Sequence, residues 1–352
     1  MESGRGILIS SKLDAQLVDT ANALRVHTAA YRNPGDICAI TALFHLSAGK
    51  LANFQLFRAP FQRNGIPMII VECVFGDVPW LLPEEPGVIR VRASDALWQK
   101  ERLINVALAH VPRKCAKVAW VDADVLFENP GWAVEASNLL DDVPVVQLAE
   151  RAILLSFGQQ SNDVGAQSID TFAAVYALEP NAQTRGEFGT HGHTGFGWAA
   201  RRSVLEAGGL YDACIAGGGD HLMAHAFCGD WDSRCVLKML GENSAWYRHA
   251  AAWSEKIYPL VRARLGCVPG TILHLWHGDM ATRRHGIRYE QVRAAHFDPA
   301  VDVALSPGGS WEWASRKPIL HQALSEYMDV RRNEAELKPF QVTVNGQTAR
   351  NS

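Results

Sequence analysis

The feature that most constrains this chain is a series of four short apolar runs, at 37–44, 68–75, 88–91 and 118–121. Runs of this length, bounded by turn residues, fit strands buried on both faces. Helical spacing lies between them. Residues 51–63 place Phe54, Leu56, Phe57 and Phe61 on that period and end at Asn64-Gly65. Residues 97–110 do the same with Leu97, Ile104 and Leu108, until Pro112 stops the helix. Alternating strand and helix predicts an α/β fold, a mainly parallel sheet with flanking helices. Ligands of such sheets bind beyond the carboxyl ends of the strands.

Asp122-Ala123-Asp124 falls at one such end, directly after the fourth run. Two carboxylates around one small residue suit Mg2+ or Mn2+, which often share carboxylates with substrate phosphates. Asp is equally at home in turns, so the motif alone leaves both readings open. Lys100, Arg102 and Asn105 lie on the second helix. Such charges commonly form a solvated face. Asn105 is less ordinary, because Asn is a poor helix former whose side chain seeks a partner.

Further on, Gly217-Gly218-Gly219 precedes Asp220 at the start of an apolar helical stretch. Asp220 could cap that helix or act as a base left accessible by its side-chain-free neighbours. His274 and His277 share one face if their segment is helical, and imidazole is a common metal ligand. Residues 150–190 are polar and irregular and read as a long loop or small insertion. The predicted organisation is a lead-in over 1–36, a domain over 37–300 with that insertion, and a C-terminal helix and tail over 301–352.

Composition excludes some classes. With 48% hydrophobic and 20% charged residues, the chain can bury a sizeable core. A formal net charge of -3 does not indicate a nucleic-acid surface, although Arg283, Arg284 and Arg288 could form a local patch. The seven cysteines show no C-x-x-C spacing, so neither a zinc knuckle nor a disulfide framework is suggested. Most have apolar neighbours and read as small core side chains in a reducing compartment. No signal peptide or membrane span is evident, and the expected location is the cytoplasm.

The motifs in order resemble the GT-A glycosyltransferases, especially the beta-1,4-galactosyltransferase-like branch. The resemblance covers roughly 37–290. It rests on the helix Gln99–Val106, Asp122-Ala123-Asp124, the strand Phe196-Gly197-Trp198-Ala199-Ala200, Asp220, and His274-Leu275-Trp276-His277. It implies a sugar moved from a nucleotide diphosphate donor, UDP-linked by analogy, to an acceptor hydroxyl with inversion. It implies Mn2+ or Mg2+ on Asp122, Asp124, His274 and His277, with Asp220 as catalytic base. Thr41, Glu72, Lys100, Asn105, Asp122 and Trp198 are assigned to the donor, and Trp198 and Trp276 are candidates for stacking on sugars. The sequence departs from the family at Ala216 and Gly219, positions that help hold the acceptor sugar there, so the acceptor stays open. One rival is a nucleotidyltransferase acting on sugar phosphates, which would show a Gly-rich basic loop after the first strand; residues 41–49 contain none. The other is a non-catalytic nucleotide-sugar-binding relative, against which Asp122, Asp124, Asp220 and His277 are all present.

Overall fold

In the computed structural model, which describes residues 35–44, 47–156, 159, 166–180, 190–278 and 285–336, the four apolar runs are neighbouring strands. The chain begins β1 (Ile37–Phe44), α1 (Ala48–Arg63), β2 (Met68–Phe75), β3 (Val88–Ala93), α2 (Lys100–Leu108) and β4 (Lys117–Val121). It continues β5 (Val125–Phe127), α3 (Trp132–Asp142), β6 (Val145–Gln147), β7 (Arg151–Leu154), β8 (Gln167–Asp170), α4 (Phe172–Leu178) and β9 (Gly197–Arg201). Four helices follow or intervene before the next strands: α5 (Arg202–Gly208), α6 (Gly219–Cys228), α7 (Arg234–Leu240) and α8 (Ala245–Val261). The remainder is β10 (Leu265–Cys267), β11 (Thr271–His274), α9 (His285–Ala294), α10 (Pro299–Asp302), β12 (Val303–Leu305), β13 (Trp311–Trp313) and α11 (Pro318–Glu336).

The main sheet has seven strands in the order β10-β6-β9-β4-β1-β2-β3. Strands β4, β1, β2 and β3 run parallel, and β9 runs antiparallel to both β4 and β6. The expected α/β class with a mainly parallel sheet is therefore observed. Alternate residues of β1 enter opposite cores: Cys38 and Ile40 pack on one face, Ile37, Ala39 and Leu43 on the other. In β4, Val118 and Trp120 oppose Ala119 and Val121 in the same way. Burial on both faces is why these strands read as continuous apolar runs.

Two features position the functional site. Because β9 is antiparallel to β4, Gly197 pairs with Val121, and the segment before β9 lands at the carboxyl end of β4. A second sheet, in the order β5-β11-β7-β8, holds β11 antiparallel to β5 with His274 opposite Val125. This sheet was not foreseen. Part of it, β7 and β8 with helix α4, occupies the 150–190 stretch read as irregular. Alternation in β7 and β8 is too short to register as a strand period. Residues 157–158, 160–165 and 181–189 of that stretch lie outside the described residues, as do most of the lead-in and the tail beyond 336. Arg283 and Arg284 also lie outside them. No helix among the described residues is long and apolar enough to cross a membrane.

Glu72 has a different place from the one expected at the nucleotide. Its buried carboxylate accepts the backbone N–H of Leu81 at 2.6 Å and of Leu82 at 3.3 Å, anchoring the connection from β2 to β3. Removing it leaves the N–H of buried Leu82 and the part-buried N–H of Leu81 unmet, which costs about 1–3 kcal/mol. Glu72→Ala should thus lower the unfolding free energy in a urea titration by that amount while leaving nucleotide-sugar affinity unchanged. Weakened nucleotide affinity at unchanged stability would return Glu72 to the binding site.

Candidate functional site

A cleft of about 780 Å³ opens beyond the carboxyl ends of β1 and β4. That is within the size range of small-molecule sites. Asp122, Asp124, Lys100, Asp220, His274 and His277 all line it. Its wall also carries Lys50, Lys238, Arg288, Arg293 and Arg331, a basic lining suited to an anionic ligand.

At one side, Lys100 joins two carboxylates. From the first position of α2 its Nζ lies 2.7 Å from Asp122 Oδ1 and 2.6 Å from Asp220 Oδ2. Asp122 is fixed further by its strand end. Its Oδ2 accepts the Phe196 N–H at 3.1 Å, and its own N–H donates to the Phe196 carbonyl at 2.8 Å. Burial raises the Asp122 carboxyl, but the charge and hydrogen bond of Lys100 outweigh it and hold Asp122 below the usual carboxylate range. Asp220 ends on the other side. Burial raises it, Lys100 pulls down, Asp122 adds repulsion, and the carboxyl stands above its ordinary value. Burial opposes the charge on Lys100, yet Asp122 and Asp220 drive its ammonium well above the normal range.

Asp220 does not cap α6. The N-cap is Gly218, in the left-handed conformation at φ 91°, and Asp220 lies in the first turn with its carboxylate on Lys100. Gly218 suits that conformation, and a side chain there would also strike the Tyr289 hydroxyl. Gly219 is needed for space. A Cβ at 219 would sit 2.5 Å from Cδ and Oε1 of Glu101. The departure from the resembled family at Gly219 thus has a physical partner, since the Glu101 carboxyl fills the room a side chain would take. Burial pushes that carboxyl up to about 8 against the pull of Lys100, and Trp98 Nε1 donates to its Oε2 at 3.2 Å. Sequence reasoning passed over Glu101, Trp98 and His193; the last two line the cleft. Glu101 sat in the charged run 98–102 and looked like part of a solvated face.

At the other side, Asp124, His274 and His277 converge. His277 Nε2 is 3.1 Å from Asp124 Oδ2, His274 Nε2 is 3.7 Å from Asp124 Oδ1, and the two imidazole nitrogens are 3.3 Å apart. One donor atom from each lies within 4.8 Å of the others. The register of β11 on β5 brings His274 there, and the Leu275 N–H donates to the Asp124 carbonyl at 2.7 Å. The histidines are therefore not on a helix face: His274 ends β11 and His277 follows in a loop. Two imidazole nitrogens facing one carboxylate are a donor set that fits a divalent cation. Asp122 is not part of that cluster; its oxygens are turned to Lys100 and Phe196.

Three other expected donor residues do not line the cleft. Thr41 Oγ1 donates to the Val121 carbonyl at 2.9 Å and ties β1 to the end of β4. Asn105 does find the partner its helical position demanded. Its Nδ2 donates to the Leu210 carbonyl and to Asp212, and its Oδ1 accepts the Leu210 N–H, so it holds the turn leading toward α6. Trp198 is buried, with Nε1 donating to the Thr194 carbonyl at 2.8 Å, and steadies the loop before β9. Trp276 uses its carbonyl to accept from Asn53. Thr41, Asn105 and Trp198 are thus side chains satisfied by backbone, a role that sequence spacing does not separate from ligand binding.

No family model and no curated protein matches the chain. Solved structures similar to it include the catalytic domain of Drosophila beta1,4-galactosyltransferase 7 in complex with xylobiose, at 13% identity and a TM-score of 0.29. That match covers 66% of this chain and 64% of the other, less than two thirds of its length. They also include the mannosyltransferase PcManGT from Pyrobaculum calidifontis in complex with GDP-Man and Mn2+, at 16% identity and a TM-score of 0.35 over 94% of this chain and 87% of that one. A third is M. tuberculosis glucosyl-3-phosphoglycerate synthase, at 12% identity and a TM-score of 0.35 over 91% and 96%. At these values the likenesses assign neither substrate nor mechanism to this chain.

Lys100→Met comes within one atom of the length of the side chain and removes the cation between two partly buried carboxylates. Breaking an ion pair costs about 0–1 kcal/mol at the surface and about 3–5 kcal/mol when fully buried, and with these side chains 13–27% exposed a loss of about 1–3 kcal/mol is expected. Chemical denaturation should show a loss of that order, and the Asp220 carboxyl should titrate at higher pH in carbon-detected NMR, because Lys100 is what pulls it down. A stability change within about 0.5 kcal/mol would put Lys100 on a solvated face.

Proposed function

We propose that this chain is a divalent-metal-dependent glycosyltransferase that moves a sugar from a nucleotide diphosphate donor to an acceptor hydroxyl. The observation that carries the reading is the division of one cleft into two chemically different ends. Asp124, His274 and His277 form a cation-binding set, and Asp220, in the same cleft, is a carboxylate outside it.

Asp124, His274 and His277 would hold Mn2+ or Mg2+, which when bound supplies Lewis-acid neutralisation of a departing diphosphate. Lys50, Lys238, Arg288, Arg293 and Arg331 add positive charge around the cleft and favour an anionic donor. Asp122, held ionised by Lys100, orients the Lys100 ammonium and so the position of Asp220. Asp220 accepts the proton of the attacking hydroxyl. A carboxyl with a raised pKa is a stronger base than a surface carboxylate, provided it has lost its proton. As pH falls through that raised value Asp220 becomes protonated, and transfer should fail at a pH above the ordinary aspartate range. Direct in-line attack with one base gives inversion at the anomeric carbon. A UDP-linked donor is the first to test.

Asp220→Asn keeps the size of the residue and cannot take a proton. General-base assistance is worth about 10²–10⁴ in rate. In a transfer assay with UDP-sugars and Mn2+, the variant should bind donor normally and lose turnover by that factor, while Asp124→Ala should lose its response to Mn2+. A folded Asp220→Asn protein with near-wild-type transfer would remove the base from this mechanism. Release of pyrophosphate from a nucleoside triphosphate and a sugar phosphate would identify nucleotidyl transfer instead.

A further inference from the structure

In the wall of the cleft, which His191 and His221 help to line, lies a second cluster that the transfer chemistry does not use. His191 stands in the segment before β9, His221 and His225 are on α6, and Cys235 is the second residue of α7. Spacing of four residues puts His221 and His225 on the same side of the helix. All four are buried, at 2%, 5%, 0% and 0% exposure. One nitrogen or sulfur from each lies within 4.8 Å of the others. The imidazole centroids form a triangle with sides of 5.1, 5.0 and 4.5 Å, and Cys235 Sγ is 3.3 Å from His225 Nε2.

We propose that His191, His221, His225 and Cys235 bind one Zn2+ ion in a closed tetrahedral site. Three imidazoles and a thiol removed from water need strong compensation. A thiol has a single proton to donate, and it cannot serve three ring nitrogens at once. A cation at the centre satisfies all four donors together. Zn2+ prefers nitrogen and sulfur ligands, about 2.0–2.3 Å away in tetrahedral array.

The surroundings are those of ligating histidines. His225 Nδ1 lies 3.3 Å from Asp230 Oδ2 and 3.2 Å from Ser233 Oγ, which leaves its Nε2 on the side of Cys235. His191 Nδ1 is 2.9 Å from the Gly192 carbonyl oxygen. A carbonyl only accepts, so Nδ1 carries the proton and Nε2 offers its lone pair. Metal-bound imidazoles are oriented in this way by a carboxylate or carbonyl on the far nitrogen.

The two clusters sort by metal softness. Thiolate and imidazole select zinc, whereas a carboxylate with two imidazoles, open to the cleft, accommodates Mn2+ or Mg2+. With four protein ligands the zinc site has no open position and is structural. It joins the segment at 191 and α7 to α6 one residue after Asp220, so it fixes the cleft wall that carries that carboxylate. Binding releases the Cys235 thiol proton to solvent.

The test is metal analysis of the untagged full chain, purified without added metal and washed with a weak chelator. Wild type and Asp124→Asn should each retain about one zinc per chain, and Cys235→Ala less than a tenth of that. If Cys235→Ala fails to fold, Co2+ added to wild-type protein stripped of metal answers the question without the variant. A thiolate-to-cobalt absorption with a tetrahedral visible spectrum is expected, and it should disappear when Cys235 is alkylated first. Stripping zinc should also lower the melting temperature, since a ligand bound only by the native state stabilises it. Wild-type protein that retains no zinc and gives no tetrahedral cobalt spectrum would overturn the proposal, as would loss of the zinc in Asp124→Asn.

Discussion

The ammonium of Lys100 is the interaction on which the cleft depends. It lies between Asp122, at the end of the central strand β4, and Asp220, in the first turn of α6, and it springs from the start of α2. Three elements far apart in sequence meet at one charge. Taking two carboxylates and an ammonium out of water is costly, and the attraction between them offsets that cost only with close geometry. Contacts of 2.6 and 2.7 Å meet that condition. That charge pulls both carboxyls down, and it holds Asp122 below its ordinary range, whereas burial and the repulsion of Asp122 leave Asp220 above its own. Removing Lys100 would leave both carboxylates uncompensated and free the start of α6 from the end of β4.

Strand pairing does the rest of the positioning. The reversal of β9 returns residues 190–197 to the carboxyl end of β4, where the Phe196 N–H donates to the Asp122 carboxylate and the Phe196 carbonyl accepts the Asp122 N–H. The antiparallel pairing of β11 with β5 carries His274 to Asp124. A shift of one residue in that register would turn His274 to the other face of its sheet and dissolve the donor set. Chemistry at the cleft is therefore set by hydrogen-bond ladders in two different sheets, with the end of β4 bearing Asp122 and Asp124 and the first turn of α6 bearing Asp220.

What was legible in the sequence follows from the same physics. Strands buried on both faces print continuous apolar runs, so β1, β2 and β4 were read correctly, and with them the place of Asp122 and Asp124. The strands β7 and β8 were missed because four residues, half of them exposed, leave no period to see. Asn105 announced itself as a side chain in need of a partner, but a pattern cannot say that the partner is a backbone turn at Leu210 and not a nucleotide. Glu72 and Thr41 failed in the same way. The cluster of His191, His221, His225 and Cys235 was out of reach, because its members come from three separate elements and Cys235, next to Val236, looks like a small core residue. The spacing of His221 and His225, four residues apart on α6, is the one trace of it in the sequence.

The account's central claim is the division of labour within the cleft, with a cation held by Asp124, His274 and His277 and a proton held by Asp220. Calorimetric titration of Mn2+ into the protein at neutral pH, in the presence of UDP, tests it most directly. The account predicts one cleft site whose affinity falls on the order of tenfold or more in His277→Ala, as it does when metal sites lose supporting groups, and is unchanged in Asp220→Asn. Equal Mn2+ affinity in wild type and His277→Ala, or a loss confined to Asp220→Asn, would contradict it.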